Sequence, residues 1–294
     1  MPSLTIHRAT PEDEAVVAEI CRSALLPADR GDMAGLGRLL WHTDGVIGFV
    51  AERDGAIVGA VFGTVTHEFE GTVTAAVTLI AVAPGHSRRG IGTKLLAELE
   101  SAVCERGATE VWSGGGQPRF WWSGVDEKCP AVIAFFEKAG YLKDDVAPNM
   151  RVALADADLG AREVGTTAIR RLVPSEWPAF REWMDQTWEN QWGEEVTTTL
   201  DRTPVSCFVA VRDGAYIGFS AYDTNRRALF GPMGSSPQAR EHGLGSELLR
   251  FCLRDYVDQG LTECEIGWAG PVDFYTKVMG AVVSRRFIRL KKEL

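Results

Sequence analysis

Two short glycine patterns carry the first chemical signal in this 294-residue sequence. Gly90-Ile91-Gly92 and Gly243-Leu244-Gly245 each open a stretch whose apolar residues recur at helical spacing. These are Leu95, Leu96, Leu99 and Val103 in one, and Leu248, Leu249, Cys252 and Leu253 in the other. Each pattern follows an apolar run that reads as a strand, residues 77–83 and 228–233. Unpaired N–H groups at a helix N-terminus point the same way and carry partial positive charge, and glycine lets an anion approach them. Strand, glycine turn and helix together predict a phosphate or pyrophosphate site, twice. A dinucleotide fingerprint would need a third glycine where Leu95 and Leu248 stand. A triphosphate loop over residues 85–90 would need lysine where Ile91 stands. A nucleophile elbow at Gly85-His86-Ser87-Arg88-Arg89 would need glycine in place of Arg89, so serine-hydrolase chemistry has no support.

The elements that must hold these loops occur in two copies. Residues 49–60 and 208–219 share eight of twelve positions. Upstream, Ile6, Arg8 and Pro11 match Ile169, Arg171 and Pro174; downstream, Gly107, Thr109 and Glu110 recur as Gly260, Thr262 and Glu263. This preserved order predicts two tandem domains, 1–156 and 166–294, joined by a polar linker over 156–165. Each copy reads as strand, helical region, hairpin, strand, loop, helix, strand, helix, strand: an α/β fold of the α+β kind with a mixed sheet. The hairpins rest on Asp54-Gly55 and Asp213-Gly214, each flanked by alternating apolar residues. The central helices are expected over 93–106 and 246–259. Gly107 and Gly260 lie 153 apart but Gly140 and Gly280 lie 140 apart, so copy one carries a net insertion of 13 residues. Most of it is the glycine- and tryptophan-rich stretch 114–124, a composition suited to a functional or interfacial loop.

Arg240-Glu241-His242-Gly243-Leu244-Gly245 resembles the Arg/Gln-x-x-Gly-x-Gly/Ala pyrophosphate loop of the GNAT acetyltransferase superfamily. The resemblance covers nearly the whole chain. It extends to Phe274-Tyr275-Thr276-Lys277-Val278-Met279-Gly280, which is similar to the family's tyrosine-containing last helix and its glycine stop. It implies two tandem acyl-CoA N-acyltransferase domains, with acetyl-CoA as donor and a small-molecule amine as acceptor, attacking the thioester directly in a ternary complex. The implied CoA contacts in copy two are Met233, Gly234, Ser235, Arg240, Glu241, His242, Gly243, Leu244, Gly245 and Ser246. In copy one they are Val82, Ser87, Arg88, Arg89, Gly90, Ile91, Gly92 and Thr93.

Such a reaction needs an N–H donor for the developing oxyanion, an acid for the thiolate and a group to take the amine's proton. Backbone from Met233 to Ser235 is the candidate for the first and Tyr275 for the second. Core packing with Val278 and Met279 on one helix face is the plainer alternative for Tyr275. Glu265 and Asp223 are the carboxylates offered as base, against the expectation that both are solvated surface acids. Copy one departs from the family pattern. Ser87 stands for Arg or Gln, and Phe135 or Phe136 for Tyr275, so copy one reads as degenerate and copy two as the catalytic domain. The rival reading is a non-catalytic acyl-CoA sensor or scaffold with one or both copies retired.

A net charge of −9 argues against nucleic acid, whose binding requires Lys and Arg to neutralise phosphates. No apolar run reaches the about 18 residues of a membrane span, and the first ten residues lack leader features, so a cytoplasmic protein is expected. Six scattered cysteines and five histidines show neither disulfide nor metal-ligand spacing. Trp177, Trp183, Trp188 and Trp192 interleave with Asp185, Glu189, Glu194 and Glu195 in the segment where the family places its acceptor. Aromatic faces beside carboxylates suit a cationic amine; packing between the two domains is the equal alternative. Polyamine, aminoglycoside, amino acid, peptide N-terminus and amino sugar all stay open as acceptors, and no sequence feature sets an oligomeric state.

Overall fold

The computed structural model describes residues 4–66, 72–116, 119–188, 192–237, 239 and 243–294. The first copy runs β1 (Leu4–Arg8), α1 (Glu14–Ala24), α2 (Met33–Trp41), β2 (Ile47–Arg53), β3 (Ala56–Val65), β4 (Thr74–Val82), α3 (Ile91–Cys104), β5 (Glu110–Trp112), β6 (Val125–Asp126), α4 (Pro130–Lys138) and β7 (Leu142–Ala153). The second runs β8 (Ala168–Arg171), α5 (Trp177–Trp188), α6 (Gly193–Thr197), β9 (Cys207–Arg212), β10 (Ala215–Tyr222), β11 (Leu229–Ser235), α7 (Leu244–Asp258), β12 (Glu263–Ile266), α8 (Val272–Met279) and β13 (Val282–Glu293). The expected mixed α/β order thus occurs twice.

Local chemistry explains the hairpins. Asp54 and Gly55 have φ of 54° and 78°, and Asp213 and Gly214 have 51° and 80°. Two successive positive φ values make a type I′ turn, whose twist matches the flanking strands and which Asp-Gly adopts readily. Arg53 accordingly faces Ala56, and Arg212 faces Ala215.

The chain forms two compact units, Met1–Ala147 with Phe287–Leu294, and Pro148–Arg286. In the first, the sheet order is β1-β2-β3-β4-β5, antiparallel except for β4–β5. Its far edge is the end of β13, where Lys291, Lys292 and Glu293 lie opposite Trp112, Val111 and Glu110. In the second, β8-β9-β10-β11-β12 is antiparallel except for β11–β12. It is completed by β7, with Met150 opposite Ile266 and Ala153 opposite Glu263. Each unit therefore takes its last strand from the other copy. The division at 1–156 and 166–294 follows residue order, which carries no sign of this exchange, because either copy's last strand satisfies the same ladder.

Each sheet buries both faces. Under α3, Leu95, Leu99 and Val103 pack with Val61 and Val77, while Leu36 and Leu39 of α2 pack on the opposite face with Phe62 and Leu79. In the second unit Leu248, Cys252 and Tyr256 of α7 pack with Phe230 and Ile266, and Phe180 and Met184 of α5 with Val209 and Phe219. The helical spacing in the sequence is the sheet-facing stripe of α3 and α7. Among the described residues no helix is long and apolar enough to cross a membrane.

Candidate active site

The two parallel strand pairs shape the site. β4 pairs β5 only where Thr74, Ala75 and Ala76 face Glu110, Val111 and Trp112, and then runs on to Val82. β11 pairs β12 only at Leu229 with Glu265 and Phe230 with Ile266, and then runs on to Ser235. Strands that start paired and then part leave a gap lined by backbone polar groups of the longer strand. Ser236 N–H donates to Ile217 at 2.9 Å, towards β10. N–H directions alternate along a strand, so of residues 233–235 it is Met233 and Ser235 whose N–H groups face the gap, while Gly234 faces β10. Pro232 has no N–H to contribute.

Beside each gap a helix begins on a left-handed glycine, Gly90 at φ 77° and Gly243 at φ 73°. A Cβ at either would meet nothing within 4 Å, so it is the backbone conformation that calls for glycine there. The first intrahelical bonds run from Lys94 N–H to Gly90 and from Glu247 N–H to Gly243, at 3.1 and 3.2 Å. The N–H groups of Ile91, Gly92 and Thr93, and of Leu244, Gly245 and Ser246, thus have no carbonyl one turn back. A Cβ on Gly92 would sit 3.5 Å from Phe135 and 3.8 Å from Val82; on Gly245, 3.6 Å from Phe274 and 3.8 Å from Met233. Those are ordinary contacts, so protein packing does not require these second glycines, whereas an anion seated on the helix start does. The side chains of Ile91 and Leu244 are core, leaving their backbone for a ligand. In copy one Ser87, Arg88 and Arg89 form an exposed loop, with Arg88 at φ 58°. Arg240, Glu241 and His242 lie outside the described residues.

The same contacts align the last helices. Phe135 meets Gly92 as Phe274 meets Gly245, so Phe136 is the counterpart of Tyr275. Ring geometry agrees: Phe135–Phe136 at 5.3 Å and 71°, Phe274–Tyr275 at 5.1 Å and 72°. Tyr275 is 7% exposed and its hydroxyl makes no hydrogen bond to any described residue. Burial pushes its pKa up to about 12.

Family sequence models match both copies: one described as Acetyltransferase (GNAT) domain over residues 44–142, one as Acetyltransferase (GNAT) family over 171–281. The chain belongs to the GNAT acetyltransferase family. It carries two such domains in tandem. Among solved structures, a GCN5-related glucosamine N-acetyltransferase region in a fungal multi-domain GH3 β-N-acetylglucosaminidase superposes with a TM-score of 0.83 at 17% identity, over 99% of this chain and 38% of that one. The chain thus spans well under half of that protein. A GCN5-related N-acetyltransferase from Sphaerobacter thermophilus gives 0.71 at 17% identity, over 99% and 95%. A tandem GNAT protein from the clavulanic acid biosynthesis pathway gives 0.70 at 20% identity, over 99% and 98%. At such identities the likeness is one of fold. No curated protein matches the sequence.

The two GNAT copies differ on the other face of the sheet. In copy two Trp188 and Trp192 pack 5.2 Å apart, and against Phe219 at 5.4 and 5.8 Å. A Cβ on Gly234 would meet Trp188 at 2.6 Å and Trp192 at 2.9 Å, so both rings lie on the β11 backbone. With Trp177 and Trp183 they belong to the second unit's own core. The acids of this segment are placed otherwise than a ring of cation ligands. Arg181 Nε binds Asp185 at 2.8 Å and its Nη1 binds Glu194 at 3.0 Å, and Glu189 lies outside the described residues. Glu195 Oε1 accepts from the Thr224 hydroxyl at 2.9 Å and the Asn225 amide at 2.6 Å. In copy one the insertion after β5 folds inward. Trp121 is 4% exposed among Leu36, Phe62, Leu79 and Ala81, and Gly116 lies against Thr64 and Ala76, where β4 and β5 part.

Neither carboxylate offered as base is a solvated surface acid. Glu265 Oε2 pairs with Arg226 at 2.6 Å and Oε1 accepts from the Asn149 amide, so an amine proton would have to displace a partner. Asp223 is 4% exposed and accepts from Ala228 N–H at 2.6 Å and Tyr256 hydroxyl at 3.0 Å. Burial holds its carboxyl above the ordinary range, partly offset by Arg202 and Tyr256. The turn after β10 tucks these polar residues inward, a placement that residue pattern alone does not signal. Glu195 and Thr224 stand 29 positions apart, and only the β10–β11 turn joins them. Among the described residues no group of three or more His, Cys, Asp or Glu is placed to hold a metal.

Proposed function

We propose that the chain is an acetyl-CoA-dependent N-acetyltransferase acting on a small amine by direct attack in a ternary complex, with copy two as the working domain. The observation that carries this is a difference at one position: beside the parting strands copy two has the Tyr275 hydroxyl, and copy one has the bare ring of Phe136 with Trp121 filling the opposite face. Bound acetyl-CoA would supply an activated acetyl thioester. The N–H groups of Leu244, Gly245 and Ser246 would hold its pyrophosphate, and in copy one those of Ile91, Gly92 and Thr93, with Arg88 and Arg89 close by. Met233 and Ser235 N–H groups face the gap where a carbonyl oxygen would gain charge, and donors fixed there need no reorganisation. Tyr275 stays protonated at neutral pH and can give its proton to a thiolate.

The net charge of −9 supports a cationic acceptor, and the free cysteines support a cytoplasmic setting. Thiol release from acetyl-CoA with a panel of amines tests the reading, and the glucosamine N-acetyltransferase region among the similar structures puts amino sugars in that panel. At least one amine should release thiol well above the hydrolysis blank. CoA binding without thiol release for any amine would favour the sensor reading, which Phe136 and Trp121 already favour for copy one.

A further inference from the structure

We infer that one ion pair, Glu100 with Lys292, selects which last strand closes which sheet, and so commits copy one's β7 to the gap of copy two.

The backbone cannot make this choice, because either strand satisfies either ladder. Side chains can. In the first unit Lys292 lies opposite Val111, and its Nζ meets Glu100 Oε2 of α3 at 2.7 Å. In the second unit the same rung is Val152 opposite Cys264. The offsets between the copies make these positions counterparts. Val152 and Lys292 lie 140 apart, Val111 and Cys264 lie 153 apart, and Glu100 of α3 corresponds to Leu253 of α7. Charge faces charge in one unit, and apolar faces apolar in the other. Val152 and Leu253 are 0% exposed and share one core with Cys264. The Glu100 and Lys292 side chains keep 15% and 27% exposure, so both ions stay in touch with water.

Unexchanged strands would be mismatched at both places. Lys292 would enter the dry place of Val152, against Leu253 and Cys264. Asp223 beneath α7 could not receive it, being already held by Ala228 N–H, the Tyr256 hydroxyl and Arg202. Val152 would meet Glu100 and leave that carboxylate without Lys292. A half-buried pair adds little by itself, but separating this one strands both charges, one of them in an apolar core. The neighbouring rung draws no such distinction: Lys291 reaches Glu110 at 3.8 Å, and Arg151 reaches the counterpart Glu263 at 3.4 Å. Selection therefore rests on a single rung. Neither strand carries it alone, since a lysine in β13 acquires its meaning only from Glu100 on α3.

In the second unit β7 supplies Asn149, 5% exposed, at the end of β12. Asn149 Oδ1 accepts from Trp268 N–H at 2.9 Å, and its amide donates to Glu265. Trp268 has a left-handed φ of 45° just where the chain leaves β12 beside the gap. A residue of copy one thus holds that turn, and copy one builds part of copy two's site whether or not it binds a ligand itself.

The test is a full-length chain carrying Glu110→Cys, Ala153→Cys and Glu293→Cys. A 110–293 link reports β13 on β5, where Glu293 lies opposite Glu110, and a 110–153 link reports β7 there instead. After reduction, unfolding in urea, refolding and oxidation, the monomeric fraction is digested and the links are quantified by mass spectrometry. With Glu100 and Leu253 in place, the 110–293 link should exceed the other roughly 100-fold or more, the scale of breaking a buried charge pair. Glu100→Leu with Leu253→Glu moves the acid to α7 and should make 110–153 the main link. Should that chain fail to fold, Glu100→Leu with Lys292→Val makes the two strands alike at this rung and should bring both links to comparable yield. A 110–293 link dominant to the parental degree in a refolded variant overturns the inference, as does a mixture of links in the parent. An ion pair that merely stabilised the first unit would lower the urea midpoint when removed and leave the ratio of links unchanged.

Discussion

Replacing Tyr275 by Phe removes one oxygen from a ring that is otherwise core, so packing and proton donation predict opposite results. The structure sets the size of each. The hydroxyl makes no hydrogen bond to a described residue, so no bond among these is lost, and Phe136 already fills the equivalent place with nearly the same ring geometry. Stability should change by no more than about 0.5 kcal/mol, well under the about 1 kcal/mol typical of deleting a made bond. Turnover should fall roughly 10²- to 10⁴-fold, the usual loss of a general acid, equivalent to about 3 to 5 kcal/mol of barrier. CoA affinity should hold, because the helix-start N–H groups are untouched. The assay compares steady-state thiol release, calorimetric CoA affinity and urea unfolding for parent, Tyr275→Phe and Phe136→Tyr. Parental turnover in Tyr275→Phe would refute proton donation, and a rate gain in Phe136→Tyr would mean that copy one still admits an acceptor despite Trp121.

Gly243→Val should lose CoA binding by calorimetry and also cost about 1 to 2 kcal/mol for a β-branched residue at φ 73°. Retained binding there with binding abolished in Gly90→Val would move the working site to copy one. Trp121→Ala should destabilise the protein by about 3 to 5 kcal/mol in denaturant unfolding, as for a buried tryptophan, and a cost under about 1 kcal/mol would show that the insertion does not fill the first unit. Burial raises the thiols of Cys21 and Cys264 to about 12. A thiol reagent at neutral pH should therefore label exposed Cys104 first and leave these two unmodified until unfolding. Because their native pKa lies above the unfolded value near 9, their contribution to stability is intact below that pH and lost as pH rises towards 12. A melting temperature flat across that window would contradict the assignment.

Much of the fold is legible in the residues because its signals are local. Asp-Gly requires two positive φ values, leucines three and four apart make a stripe, and Gly-x-Gly marks a left-handed helix start; each appears twice. The Tyr275 correspondence was open between two registers, and a contact across the fold, Phe135 on Gly92, closes it. Features decided by long-range contact are the ones sequence pattern misses. A Trp-Trp pair after three glycines suits a functional or interfacial loop, until contact with Leu36, Phe62 and Leu79 takes Trp121 into the core on the α2 face of the sheet. Asp223 and Glu195 look solvated until the β10–β11 turn carries Thr224 and Asn225 inward. Nothing in β7 or β13 marks which sheet each will join.

That exchange of edge strands also governs how the protein can be made. The first unit's sheet closes on Lys291, Lys292 and Glu293, which follow Trp112 by most of the chain. At a synthesis rate of about 5 to 20 residues per second, β5 waits roughly 10 to 35 s for β13, while β7, which emerges sooner, can satisfy the same ladder. The N-terminal unit is begun first and, in this arrangement, completed last, when β13 reaches β5. A gene cut between the copies would yield two fragments that each end in their own copy's last strand, able to close on that strand or to exchange it with the other fragment. The two domains are tandem in sequence but a single product in biosynthesis.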